Sequence, residues 1–352
     1  MDSSNIRQNS SNSVKEIQTD FLVVGASVAG STIAKELAAY GKTIFTDRHL
    51  PGSVMNCGGG MPEKTFMSLG LDIPYLRIKK AEIDINSKSY PFPLNYVIVH
   101  RSEFDRALYE RAEKAGAEFL KLNYRSHNPK ECTALFLDEN NKKVKISFKK
   151  LILAYGFHPR CEPFSGKKRK LTFGAAIVEI IDTKSPYADE LFFTILKGSP
   201  GYTWLFPMPG GTINIGTGTM STFEILREEY KNFKKKLGVD KKVIVKGGGV
   251  FPLFTRIIIS KGPVVLFGDC AGMINALNGE GIQHICAAAK KLAPAIAGNK
   301  NVNLKWFFSK TYILLSICGV FFTFMRFFEE YLKIPLYTWT SKLVTKIRRM
   351  KG

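Results

Sequence analysis

With 352 residues, 45% of them hydrophobic and 23% charged, the chain carries enough apolar side chain for a large folded core and is too apolar for a disordered protein. A formal charge of +21 at neutral pH points to an anionic partner: nucleic acid, an acidic membrane surface or a phosphate-bearing substrate. The six cysteines form no C-x-x-C pair and no compact staple spacing, which argues for reduced intracellular thiols and against a zinc site.

The first eighteen residues are rich in Ser and Asn and lack the apolar core of a signal peptide, so residues 1–18 read as a disordered lead. The stretch from Thr19 to Asp47, TDFLVVGASVAGSTIAKELAAYGKTIFTD, then carries the strongest local signal in the chain. An apolar strand (Phe21 to Val24) ends in Gly25, a helix opens near Val28, and a second strand (Thr43 to Thr46) delivers Asp47. This order places a dinucleotide pyrophosphate on a helix N-terminus and an acid on the adenosine ribose. Gly25 allows the tight turn and Gly30 lets helix and strand approach closely, while Ser27 replaces the middle glycine and adds a hydroxyl near the phosphates.

Three consecutive glycines, Gly58, Gly59 and Gly60, follow Cys57. Such a run permits close approach of backbone to a flat ligand, the alternative being a flexible surface loop. Tyr90 to His100 is strand-like, and Arg101 precedes a helix whose Phe104, Leu108 and Ala112 share one face and which stops near Gly116. Arg101 is either a solvated surface charge or a phosphate ligand in the same cleft. A hairpin is expected from Cys132 to Phe148 across the turn at Asp138 to Asn141, followed by a separate short buried strand, Leu151 to Ala154.

From Leu171 to Thr219 apolar strands alternate with turn residues, which predicts an antiparallel sheet. Glu224 to Leu237 forms a helix with a basic end, Lys234 to Lys236. The chain returns through Val264 to Phe267 into a second strand–loop–helix, with Gly268-Asp269 ending the strand and Gly281 near the helix start. Asp269 could accept hydrogen bonds from a ligand hydroxyl chain, and the helix N-terminus beyond Gly281 could stabilise negative charge.

At the C-terminus, Thr311 to Met325 is uncharged but shorter than a bilayer span, and reads as a buried or interfacial helix rather than an inserted one. Beyond Pro335, Leu336, Trp339, Leu343, Ile347 and Met350 fall near one helical face among Lys342, Lys346, Arg348, Arg349 and Lys351. That pattern suits an anionic membrane surface, or a solvated helix that closes the fold. The lysines elsewhere form no recognisable nucleic-acid module.

In this order the pieces resemble the geranylgeranyl reductase family of flavoproteins, within the para-hydroxybenzoate-hydroxylase-like fold, over roughly Asp20 to Leu332. The likeness rests on the GASVAG turn with Asp47, the Cys57 to Gly60 loop, RxxFDxxL from Arg101 to Leu108, YxWxFP from Tyr202 to Pro207, and GD…GEGI from Gly268 to Ile282. The first, third and last are shared by many flavin hydroxylases; the glycine loop and YxWxFP are narrower and point to reduction of isoprenoid chains.

The resemblance implies an α/β architecture: a Rossmann-like FAD-binding domain (19–165 and 260–300), an antiparallel-sheet substrate domain (166–259) and C-terminal helices (301–352). It implies FAD as cofactor, held by Gly25, Ser27 and Gly30 at the pyrophosphate, Asp47 at the ribose and Arg101 at a phosphate or ribose oxygen. Asp269, Gly281 and Ile282 would lie beside the ribityl chain and ring, with Cys57, Gly58 and Gly60 on the ring's substrate side. Tyr202, Trp204, Phe206 and Pro207 would line a polyprenyl tunnel, although by pattern alone YTWLFP reads as an aromatic strand of an ordinary core, and only the resemblance reverses this. Cys57 is either a proton donor or a small residue packed on the ring. No metal is implied.

The activity implied is saturation of C=C bonds in geranylgeranyl chains, of an ether-lipid precursor or of the diphosphate, by a cytoplasmic protein peripheral to the membrane. A flavin monooxygenase or halogenase and a non-catalytic flavin- or lipid-binding protein are the alternatives. Ala154-Tyr155-Gly156 stands where hydroxylases of this fold carry Ala-Asp-Gly. The electron donor is therefore open between a ferredoxin, another reduced carrier and NAD(P)H.

Overall fold

The computed structural model describes residues 14–53, 57–160, 162–167, 171–187, 189–196, 200–239 and 241–330. The chain opens with β1 (Lys15–Val24), α1 (Val28–Leu37) and β2 (Thr43–Asp47), and the two strands pair in parallel from Phe21 opposite Thr43 to Val24 opposite Thr46. The last four residues of β1 are buried, as a central parallel strand covered on both faces requires. Residues 15–18 of the expected disordered lead are part of β1. They pair with Val144 to Ser147, and Glu16 forms an ion pair with Lys145 at 3.0 Å. Lys15, Glu16 and Gln18 are polar and only Ile17 packs on the core, so strand character there is carried largely by backbone pairing.

Next come β3 (Gly60–Pro62), α2 (Glu63–Leu69) and a long hairpin of β4 (Tyr75–Ile85) and β5 (Lys88–Val99). The hairpin turns on Asn86 and Ser87, both at positive φ (54° and 62°), the twist that a two-residue hairpin turn demands. After α3 (Arg101–Lys114), β6 (Glu118–Lys121), β7 (Asn123–Asn128) and β8 (Thr133–Leu137), the chain forms β9 (Lys143–Leu153). The hairpin expected across Asp138 to Asn141 is present as β8 and β9, with the Asp138 N–H donating to the Lys142 carbonyl. The short strand expected at 151–154 is instead the far half of β9. One side of β9 pairs with β1 along its length, while the other pairs first with β8 and then with a later strand.

The remaining elements are β10 (Phe173–Ile181), β11 (Glu190–Ile195), β12 (Gly201–Pro207), β13 (Ile213–Thr219), α4 (Phe223–Leu237), β14 (Val243–Pro252), β15 (Ser260–Lys261), β16 (Val264–Leu266), α5 (Ile282–Ala297), α6 (Val302–Phe307) and α7 (Lys310–Glu330). The first sheet has the order β15-β16-β9-β1-β2-β6, with β8 and β7 attached beside β9; its parallel core is packed against α1, α3 and α5. The second sheet has the order β14-β10-β13-β12-β11-β4-β5-β3, antiparallel except where β11 runs parallel to β4. Residues 60–99 therefore supply three strands of the second sheet, although the expected boundaries assign them to the first domain. Their partners on β11 lie more than a hundred positions away, beyond any local pattern.

One face of the second sheet packs on α4, where Leu205, Ile213 and Ile215 meet Tyr230 and Phe233. The basic end of α4 is partly consumed inside the fold: Lys234 meets buried Glu179 at 3.0 Å, and Lys236 reaches Asp84. The other face turns toward the first sheet, and Phe322 and Met325 of α7 close one end of it against Ile85 and Ile195. Among the described residues no helix is long and apolar enough to cross a membrane.

Candidate active site

The C-terminal ends of β1 and β2 and the start of α1 converge on one turn. Gly25 sits at φ +107°, and a Cβ there would collide with the Ala154 carbonyl; a Cβ on Gly30 would collide with the Gly25 carbonyl. Both positions therefore need glycine, one for its dihedral and one for the approach of helix to strand. Asp47 braces the turn: its Oδ2 accepts from the Ala26 N–H and its Oδ1 from the His49 N–H, each at 3.0 Å.

The hydroxyl of Ser27, expected to face the phosphates, donates instead to Asp105 Oδ2 at 2.7 Å. Arg101 clamps the same carboxylate through Nε to Oδ1 (2.8 Å) and Nη2 to Oδ2 (2.9 Å), and Nη2 also donates to Ser27 Oγ at 3.2 Å. Burial works against the Arg101 charge, but Asp105 and the Cys57 thiol that the guanidinium also meets push its pKa further up. Arg101 is thus neither a solvated charge nor freely extended: it ties the glycine turn, α3 and the Cys57 loop together. Asp105, one helical turn beyond Arg101, has the i,i+4 spacing that could have identified it.

Asp269 joins this cluster from the far side of α1, because Gly268 packs directly on Ala29. Burial raises the Asp269 carboxyl, and the nearby Arg101 charge offsets this in part. Gly281 caps α5, whose first residue Ile282 is buried. Asp47, Arg101 and Asp269 thus gather around the glycine cradle and the first turn of α1, whose N–H groups are those a helix N-terminus offers to an anion.

The Cys57 loop presses against the aromatic face of the second sheet. A Cβ on Gly58 would stand 2.7 Å from the Phe206 ring and 3.4 Å from Trp204 Nε1, and one on Gly60 would stand 3.1 Å from Ile98. Gly59, at φ +76°, lies on the Val99 carbonyl and accepts from the Val99 N–H at 3.1 Å. Cys57 is half-buried, its sulfur 3.5 Å from the Gly59 nitrogen. The glycine run is thus a packed loop rather than a loose surface segment.

Along β12, Tyr202, Trp204 and Phe206 share the face toward this loop, with Phe193 edge-on to both Tyr202 and Phe206 at 5.7 and 5.4 Å. Pro207 alternates to the opposite face with Leu205, so it does not join the aromatic wall expected to include it. The Tyr202 hydroxyl donates to the Asn278 carbonyl at 2.6 Å and the Tyr96 hydroxyl to Glu280 Oε1 at 2.9 Å, fastening the loop before α5 to the second sheet. Glu280 belongs to the GEGI motif, but its pairing with Tyr96, 184 positions away, carried no sequence signal.

No family model matches the chain. Geranylgeranyl diphosphate reductase of Rhodobacter capsulatus is 30% identical over 297 residues, covering 78% of this chain and 74% of the relative. The chain belongs to the geranylgeranyl reductase family. A second member, digeranylgeranylglycerophospholipid reductase of Thermoplasma volcanium, is 28% identical over 298 residues, with 75% and 74% covered. The fold is that of a geranylgeranyl bacteriochlorophyll reductase-like protein of Thermoplasma acidophilum, at TM-score 0.72 and 22% identity over 94% of this chain and 88% of that one.

Proposed function

We propose that the chain is an FAD-dependent reductase that saturates C=C bonds in geranylgeranyl-type chains carried on a lipid. The observation that carries this reading is the juxtaposition of the Cys57 loop with the aromatic face of β12, one loop away from the dinucleotide-shaped cleft. A C20 chain offers almost nothing to hydrogen-bond, so its site has to be an apolar slot with aromatic walls. Tyr202, Trp204, Phe206 and Phe193 supply such a wall, and the glycines let the backbone approach it.

The first turn of α1 with Gly25 and Gly30 would hold the pyrophosphate, Asp47 the ribose, and Asp269 the ribityl hydroxyls, with Gly281 and Ile282 at the ring. When bound and reduced, the flavin supplies hydride to one alkene carbon. Cys57 Sγ holds the proton for the other carbon, and the Arg101 guanidinium beside it offsets the charge left on sulfur when that proton leaves. An isolated alkene has no carbonyl to polarise, so positioning by the aromatic wall carries most of the acceleration. Ser27 acts through Asp105 on Arg101 rather than on a phosphate.

The protein works at a membrane surface. Leu304 and Phe307 of α6, Phe308 just after it, and Ile313, Ile317 and Val320 of α7 are all exposed, the kind of apolar surface that marks a lipid or partner contact. From Gly281 to Phe328 there are lysines and an arginine but no acid, so this face is complementary to anionic lipid. The basic stretch Leu336 to Gly352, expected to add to that attraction, lies outside the described residues.

Anaerobic reoxidation tests the reading. The reduced holoprotein is expected to be reoxidised by a geranylgeranylated lipid and not by its fully saturated analogue, and Cys57→Ser is expected to keep its flavin but lose most of that rate. Equal reoxidation by both lipids would refute it.

A further inference from the structure

We infer that Asn214 is a positioning residue for the reaction, holding the Cys57 loop at a fixed height over the aromatic wall. It deepens the reading of Cys57 and Trp204 given above and rests on it. On β13, Ile213, Ile215 and Thr217 face α4, while Asn214, Gly216 and Gly218 face the Cys57 loop. The two glycines clear a berth for the Trp204 indole: a Cβ on Gly216 would collide with the six-membered ring, and one on Gly218 would touch it at 3.8 Å. Lying flat in that berth, the indole brings its Nε1–H to Asn214 Oδ1 at 2.8 Å. The other end of the same amide, Nδ2, donates to the Cys57 carbonyl at 3.2 Å.

The orientation of this amide is dictated by its partners. An indole N–H only donates and a backbone carbonyl only accepts, so turning the amide over would lose both bonds at once. Asn214 is 1% exposed, where an unbonded amide would be strongly unfavourable and an apolar residue of the same size would pack as well. Its two bonds go to two groups of the proposed site, one in the substrate wall and one in the loop that carries the thiol, 157 positions away in the chain. Arg101 lies beside the thiol. Asn214 fixes the backbone from which that thiol projects, so the sulfur's distance from a chain lying on Trp204 is set by one amide.

Two variants separate positioning from packing. Asn214→Asp keeps an acceptor for Trp204 but turns a carboxylate oxygen on the Cys57 carbonyl; Asn214→Leu keeps the apolar volume and removes both bonds. Each is measured as purified holoprotein at matched flavin content, for kcat and KM in lipid saturation and for the alkylation rate of Cys57 by iodoacetamide, resolved by peptide mass spectrometry. Both are expected to lose about 10²-fold in kcat, the scale for misplacing a reacting group by about 1 Å. The KM for lipid should stay within about threefold, and Cys57 alkylation should change by at least about fivefold. A purely structural residue would lower the yield of folded holoprotein without altering kcat per bound flavin or the labelling rate. If Asn214→Asp does not fold, Asn214→Leu alone decides. Wild-type kcat and wild-type labelling in Asn214→Leu would overturn the inference. Full turnover in Cys57→Ser would instead remove the thiol from the chemistry, while altered labelling in Asn214→Leu would still report the bridge.

Discussion

Replacing Asp105 by Ala removes three hydrogen bonds at once, two from Arg101 and one from Ser27, and leaves a guanidinium in a site where the Arg101 side chain is 13% exposed and the Asp105 side chain 3%. Breaking one partner from a buried pair typically costs about 3–5 kcal/mol, because the remaining charge stays desolvated. With a urea dependence of roughly 3 kcal/mol per molar, the unfolding midpoint should fall by about 1–2 M. The assay is urea unfolding followed by tryptophan fluorescence and by circular dichroism on the same samples. The pair itself need not be stabilising, since a buried ion pair replaced by well-packed apolar residues is often neutral or better. The double variant Arg101→Met with Asp105→Leu should therefore recover at least half of the loss while failing to retain flavin. A midpoint shift below about 0.3 M in Asp105→Ala would refute the reasoning, since the cradle would then not depend on this clamp.

Gly58→Val should keep flavin and lose lipid turnover by more than about tenfold, because its side chain enters the Phe206 ring; overpacking of this kind costs about 1–3 kcal/mol, and paired flavin-content and saturation assays read both halves. His284 is 5% exposed with its Nε2 unpartnered among the described residues, and burial depresses its pKa from 6.5 to about 4. The unfolded chain therefore binds the extra proton first, so its contribution is fully present above pH 6.5 and is lost as the pH falls toward 4. The urea unfolding free energy of the wild type should fall between neutral pH and pH 5 by an amount on the order of 2 kcal/mol more than that of His284→Leu; an equal fall in both would contradict this. Ile317→Ser with Val320→Ser should leave the melting temperature unchanged, since both side chains are exposed at 62% and 72%. The same pair should weaken binding to anionic vesicles by more than tenfold, as each side chain buried in lipid is worth about 1.5–3 kcal/mol; unchanged binding in a vesicle sedimentation assay would remove α7 from the membrane contact.

The features legible in sequence were those whose physics is local. Gly25, Gly30 and Asp47 are spaced by a strand, a turn and a helix that the residues themselves dictate, and α3 is readable from the face made by Phe104, Leu108 and Ala112. The Cys57 loop announced a close backbone approach, but its partner, the face of Phe206 and Trp204, came only from family resemblance. What escaped was long-range. The parallel pairing of β4 with β11 moved residues 60–99 into the second sheet, and no local pattern encodes a partner strand so far away. Ser27 looked like a phosphate donor because its neighbours form a nucleotide turn, yet Asp105, 78 positions on, takes its hydroxyl. Asn214 is hidden inside TINIGTG, because a polar residue between two isoleucines reads as an outward-facing strand position. Pro207 belongs to the YxWxFP motif, but the two-residue period of β12 sends it to the other face.

In the proposed reaction, electrons delivered to this protein end in the double bonds of a polyprenyl chain. The measurement that tests it most directly is the mass of a geranylgeranylated lipid after anaerobic incubation with chemically reduced holoprotein. A ladder of products separated by about two hydrogens per double bond is expected, absent with the oxidised protein and strongly reduced with Asn214→Leu. A lipid recovered at its starting mass, from protein that carries reducible flavin, would contradict it.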